Sequence, residues 1–165
     1  MNLKIDQLVA ALRDELQHYG EILALLERQQ HFVIHRSTDD LFRSVADVQQ
    51  QADTLRQARD HRDQCRHAVA AELAPAESQD LSLLIPHLPG DYQPLVQALV
   101  DENNHLLIRV QQCAQQNHLL LSRSLELMQQ FISSFSPTPE AAAYNQRGNR
   151  PSLTVPSRIL YEAIG

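Results

Sequence analysis

YQPLVQALVDENNHLLIRVQQCAQQNHLLLSRSLELMQQFISSF, residues 92–135, is the stretch whose pattern decides the fold. Tyr92, Leu99, Leu106, Cys113, Leu120 and Leu127 recur every seven residues, and Val96, Asn103, Val110, Asn117, Ser124 and Phe131 interleave with them. A three-four spacing kept over about forty residues predicts a single helix roughly 65 Å long, packed as a left-handed coiled coil. Toward the end, Leu121, Met128 and Ile132 widen the stripe beyond a simple seam, and Phe135 closes it. A helix with that apolar width needs more than one neighbour to cover it. The surplus would suit a partner helix laid into a groove; periodicity alone leaves ordinary core packing as the other reading.

Two further helices precede it. Leu8, Leu12, Leu16, Tyr19, Leu23, Leu26 and Val33 place an amphipathic helix over about residues 3–35, interrupted only by Gly20, which costs about 1 kcal/mol relative to alanine. Ser37, Thr38, Asp39 and Asp40 supply a helix-start pattern, and Leu41, Val45, Val48, Ala52 and Leu55 carry the next stripe. Its middle, residues 56–67, is almost wholly polar before Cys65, Val69 and Leu73 resume the pattern. With so short a connection near residue 36, these two helices should form an antiparallel hairpin. Pro75, Pro86, Pro89 and Gly90 break the chain over residues 75–91, around the short apolar run 81–88. The expected architecture is all-α: an elongated antiparallel helical hairpin plus a third long helix, forming a three-helix coiled coil over residues 1–136. Residues 137–165 read as a flexible tail, with a possible last helical turn over 157–164.

Composition narrows the function classes. Aromatic residues make up 5% of the 165, tryptophan is missing and glycine occurs four times, a profile of long helices rather than sheets. The net charge of −6 opposes a general nucleic-acid binder, which needs a basic face. Arginines alternate with acids over residues 56–66, which reads as a solvated helix face. The first residues lack a signal peptide's layout, and no run approaches the roughly 20 apolar residues of a membrane span. Cys65 and Cys113 stand alone, as expected of free thiols in a reducing compartment. A cytoplasmic protein is the reading that follows.

Few residues offer chemistry. Glu15 with His18, and Glu102 with His105, have the Glu-x-x-His spacing of di-iron bundles, but the further glutamates and the fourth long helix are missing. Both pairs therefore read as solvated flanks. His61, Cys65 and His67 have partly ligand-like spacing, but a zinc site wants four ligands and no further one is visible nearby. No phosphate-cradling glycine loop or nucleophile motif is present, so neither enzyme activity nor a cofactor or metal is expected. Asn103 and Asn117 hold inward positions two heptads apart. Buried asparagines in a seam fix register, since other alignments leave their amides unpaired; a polar notch recognised by a client is the alternative.

The chain resembles the FlgN-type flagellar export chaperones. The resemblance is carried by Leu23, Leu26 and Glu27, by Asp40 and Leu41, by Asn117, His118, Leu119 and Leu120, by the apolar helix end from Leu127 to Phe135, and by Tyr144, Asn145 and Gly148 beyond it. It implies a cytoplasmic chaperone that binds C-terminal helical segments of the hook–filament junction proteins FlgK and FlgL. The client would then be delivered to the export-gate protein FlhA. Carried over, the client-binding residues would be Leu120, Leu121, Leu127, Met128, Phe131, Ile132 and Phe135, with Tyr144 and Gly148 docking at the gate. Two features depart from the family: the second helix has Arg and Gln where a Lys is usual, and the tail carries Ile159, Leu160 and Ile164. The alternative function is a coiled-coil adaptor or oligomerisation module, which would self-associate, for instance as a homodimer, through the widened stripe.

Overall fold

The computed structural model describes residues 2–73 and 80–135. The sequence readings that fall on the tail, including Tyr144, Gly148 and residues 157–164, lie outside the described residues. Three long helices dominate: α1 (Asn2–Ile34), α2 (Thr38–Leu73) and, after a short α3 (Leu81–Leu84) and a 3-10 turn (Ile85–His87), α4 (Gln93–Phe135). There is no strand among the described residues. The all-α expectation holds, with helix ends within one or two residues of those read from the periodicity.

α1 is the central helix, and close backbone approaches concentrate between it and α2 on one side and α4 on the other. Antiparallel pairing of α1 with α2 follows from Lys4 reaching Glu72 and Gln51 donating to Glu21 at 2.9 Å. The turn between them places Arg36 at φ 57°, in the left-handed region usual at a helix C-terminus, and Ser37 N–H donates to Phe32 O at 3.0 Å. Asp39 and Asp40 then lie in the first turn of α2, where negative charge suits the helix dipole.

α4 runs parallel to α1 in a constant register. Asn103 Nδ2 donates to Leu12 O at 3.0 Å and Asn117 Nδ2 to Leu26 O at 2.7 Å, and both pairs are 91 residues apart. The segment that reverses the chain between α2 and α4 closes one end of the bundle. Leu81, Leu84, Ile85 and Leu88 bury themselves there against Ile5, Leu8 and Val9. The Tyr92 hydroxyl donates to Asp6 at 2.8 Å, fastening the start of α4 to the first turn of α1.

The core is not continuous. One apolar cluster gathers Ile5–Leu12 side chains with Val69, Ala70, Val96 and Val100; a second gathers Tyr19, Ile22 and Leu26 with Val48, Ala52, Leu55 and Val110. Between them lies a polar layer of Glu15, Arg62, Arg66 and Asn103. The reading of residues 56–66 as a solvated face is therefore corrected: Arg66 is only 9% exposed, and Arg62 turns inward toward Glu15. Glu15 itself is buried rather than a solvated flank. Ala11, Glu15, Tyr19 and Ile22 run at spacings of four, four and three, so the acid occupies an inward position in α1.

Candidate functional site

The constant register locates the end of the bundle. If residue 103 faces residue 12 and residue 117 faces residue 26, residue 125 faces Ile34, the last residue of α1. The remaining ten residues of α4 then project past the hairpin tip by about 15 Å, at 1.5 Å per residue. Exposure along the seam changes at that point. Val110 is fully buried and Asn117 nearly so, whereas Leu127, Met128, Phe131 and Ile132 are 53–64% exposed. Leu120 and Leu121, opposite Gln29 and Gln30 of α1 by the same register, are half-buried. Phe135 ends α4, and its side chain lies outside the described residues.

The projecting face continues the face that packs on α1 further back. Its apolar pattern outlasts its partners because α4 has 43 residues and α1 only 33. The serines on this stretch make few demands of their own. Ser124, Ser133 and Ser134 donate to the carbonyls of Leu120, Gln130 and Phe131 in the preceding turn. Arg123 pairs with Glu126 at 3.5 Å beside the stripe. At the hairpin tip below, Ile34 and Phe42 are also largely exposed. The hairpin tip thus offers two further exposed apolar side chains besides those of α4. Periodicity did not single out Ile34 and Phe42, because they lie off the main stripes.

The two seam asparagines are buried at 6% and 2% exposure. Asn117 also donates to Gln29 Oε1 at 3.1 Å, so a buried amide pair crosses between α4 and α1. In the polar layer, Arg62 Nε lies 3.5 Å from Glu15 Oε2 and 3.3 Å from Asp63. Burial pushes the Glu15 carboxyl above its ordinary range, against the opposing pull of Arg62. Burial, followed by the negative charge of Glu15, pushes the Tyr19 hydroxyl up to about 12. Sequence reasoning missed this layer; its signal was the inward spacing of Glu15 facing the polar middle of α2.

The pairs with ligand-like spacing stay apart. Glu102 and His105 are exposed on α4, while Glu15 turns toward Arg62. His61 Nε2 meets Cys65 Sγ at 3.7 Å. No group of three or more His, Cys, Asp or Glu stands together as a metal site among the described residues. Cys65 and Cys113 are free, and burial raises both thiols. No described helix is long and apolar enough to cross a membrane.

No curated protein and no solved structure matches the chain. A family model described as FlgN protein matches residues 1–152, which spans all three long helices and reaches beyond α4. With that match over most of its length, the chain belongs to the FlgN family of flagellar export chaperones.

Proposed function

We propose that this protein acts in the cytoplasm and binds the C-terminal helical segments of the junction proteins FlgK and FlgL through the projecting end of α4. The observation that carries the proposal is the exposure of Leu127, Met128, Phe131 and Ile132 at the end of a helix that buries Val96, Val110 and Asn117, the heptad series of Phe131, further back. Leu120, Leu121 and Phe135 complete the client surface. A client helix would sit on the hairpin tip and take the place that α1 or α2 would occupy if either were longer. Ile34 and Phe42 would touch its end.

Such binding keeps a self-assembling client monomeric without nucleotide chemistry. Burying apolar area is favourable by roughly 25 cal/mol per Å2, and it hides the surface with which the client polymerises. Delivery would use Tyr144 and Gly148, docking the loaded chaperone on FlhA. Asn103 and Asn117 hold α4 at the register that produces the overhang, since a shift would strand their amides in the core.

Calorimetric titration of the intact protein with C-terminal segments of FlgK and FlgL tests the client assignment. Saturable binding lost in Leu127→Asp supports it, and no binding of either segment rejects it. The same exposed stripe favours one other occupant, a second copy of the chain. Light scattering that shows a dimer dissociated by Leu127→Asp, with no client binding, would establish the adaptor reading instead.

A further inference from the structure

The polar layer opens into a cleft of about 330 Å3 between α2 and α4, floored by α1. That size lies within the range of about 300–1,000 Å3 usual for ligand-holding clefts. Three of its polar atoms are buried without a hydrogen bond: Asn103 Oδ1, which faces no partner, and Glu15 Oε2 and Arg62 Nε, which face each other as an ion pair at 3.5 Å without bonding. Glu15 is 2% exposed and Asn103 6%, and both line the cleft. The second half of each group is already engaged: Asn103 Nδ2 by Leu12 O, and Glu15 by the Tyr19 hydroxyl. Buried polar atoms left unpaired are costly, so this site is built to receive something.

We propose that the cleft binds a primary carboxamide, presented by a glutamine or asparagine side chain of a partner helix or by a free amide. Charge favours a neutral occupant. Arg59, Arg62 and Arg66 line the cleft with Glu15, Asp63 and Asp80, so the two signs balance. An anion would meet the Glu15 and Asp63 carboxylates, and a cation would meet three guanidinium groups. A carboxamide supplies two N–H donors from one nitrogen and one carbonyl acceptor. That inventory would donate to Asn103 Oδ1 and complete the long Glu15–Arg62 pair from both sides, donating to Glu15 Oε2 and accepting from Arg62 Nε. Leu12, Leu81, Val100 and Leu107 give apolar wall for the methylenes that carry the amide.

The test is a heteronuclear NMR titration of the intact protein, observing the Asn103 side-chain NH2 and the Arg62 Nε–H. The probes are acetamide, free glutamine, acetate, methylammonium, and a short helical peptide with one central glutamine beside its leucine counterpart. Saturable shifts with the amides in the millimolar range or below, and responses to acetate and methylammonium weaker by about tenfold or more, are expected. Glu15→Leu, which removes the carboxylate acceptors, should abolish them. If the glutamine peptide binds about tenfold tighter than acetamide while the leucine peptide does not bind, the source is a partner helix. If free glutamine binds tightest, the source is a small molecule. A cleft holding only water, with no saturable shift for any amide, overturns the proposal, and so does an equal response to acetate. Both overturning results are read on the wild-type protein and do not depend on any variant folding.

Discussion

Placing a charge at Phe131 separates a docking surface from a core. Phe131 is 64% exposed on the projecting part of α4. Burying a large apolar side chain completely is worth about 1.5–3 kcal/mol, so docking of a client over this residue has about 1–2 kcal/mol left to gain. Phe131→Ala should then weaken client binding by about 5- to 30-fold. Phe131→Asp adds an unpaired charge at the interface and should weaken it by roughly 100-fold or more. The free protein should hardly respond, since substitutions at such exposed positions usually change stability by no more than about 0.5 kcal/mol. Val110→Asp is the contrast, on the same stripe but fully buried. An uncompensated charge there should lower the melting temperature by about 10 °C or more, or prevent folding. Calorimetry against a junction-protein C-terminal segment gives the affinities, and circular dichroism gives the melting curves. Loss of stability in Phe131→Asp comparable to Val110→Asp would refute the reasoning, as would unchanged client affinity.

Four other outcomes follow from named groups. Asn117→Leu leaves Gln29 without its buried partner and should cost about 1–3 kcal/mol by urea denaturation, while the double change with Gln29→Leu should recover most of that loss. Tyr19 holds its proton to about 12 when folded against about 10 when unfolded, so the native state binds more protons across that interval and stability should fall as pH rises through it. Tyr19→Phe removes that contribution, which the urea midpoint measured against pH will show. The same sign applies to Glu15, whose raised carboxyl makes stability fall as pH climbs from the ordinary carboxylate range through its folded value, and Glu15→Gln should flatten that limb. Tyr144→Ala should leave client affinity unchanged yet weaken recruitment of the loaded chaperone to the FlhA cytoplasmic domain by about 2 kcal/mol in a titration.

Much of the bundle was legible because coiled-coil packing is a local code. Val96, Asn103, Val110 and Asn117 repeat every seven residues, and a helix that keeps this spacing must turn them all toward one neighbour. The hairpin was legible for a similar reason, since the few residues around Arg36 leave the chain no room for another topology. The polar layer was less readable. Residues 56–66 have the composition of a solvated face, and only the packing of α2 against α1 turned Arg62 and Arg66 inward onto Glu15. Long side chains can serve either surface or interior, and what faces them decides which.

The sequence by itself determined three long helices, their order and the apolar stripe that each presents, because helical periodicity depends only on residues three and four apart. Only the tertiary structure decided which parts of those stripes are covered. Val110 and Phe131 belong to one heptad series, yet one is fully buried and the other largely exposed. The difference comes from where α1 ends against α4, in the register that brings Asn103 to Leu12 O and Asn117 to Leu26 O. Burial is a relation between segments 91 residues apart, and no local pattern contains it.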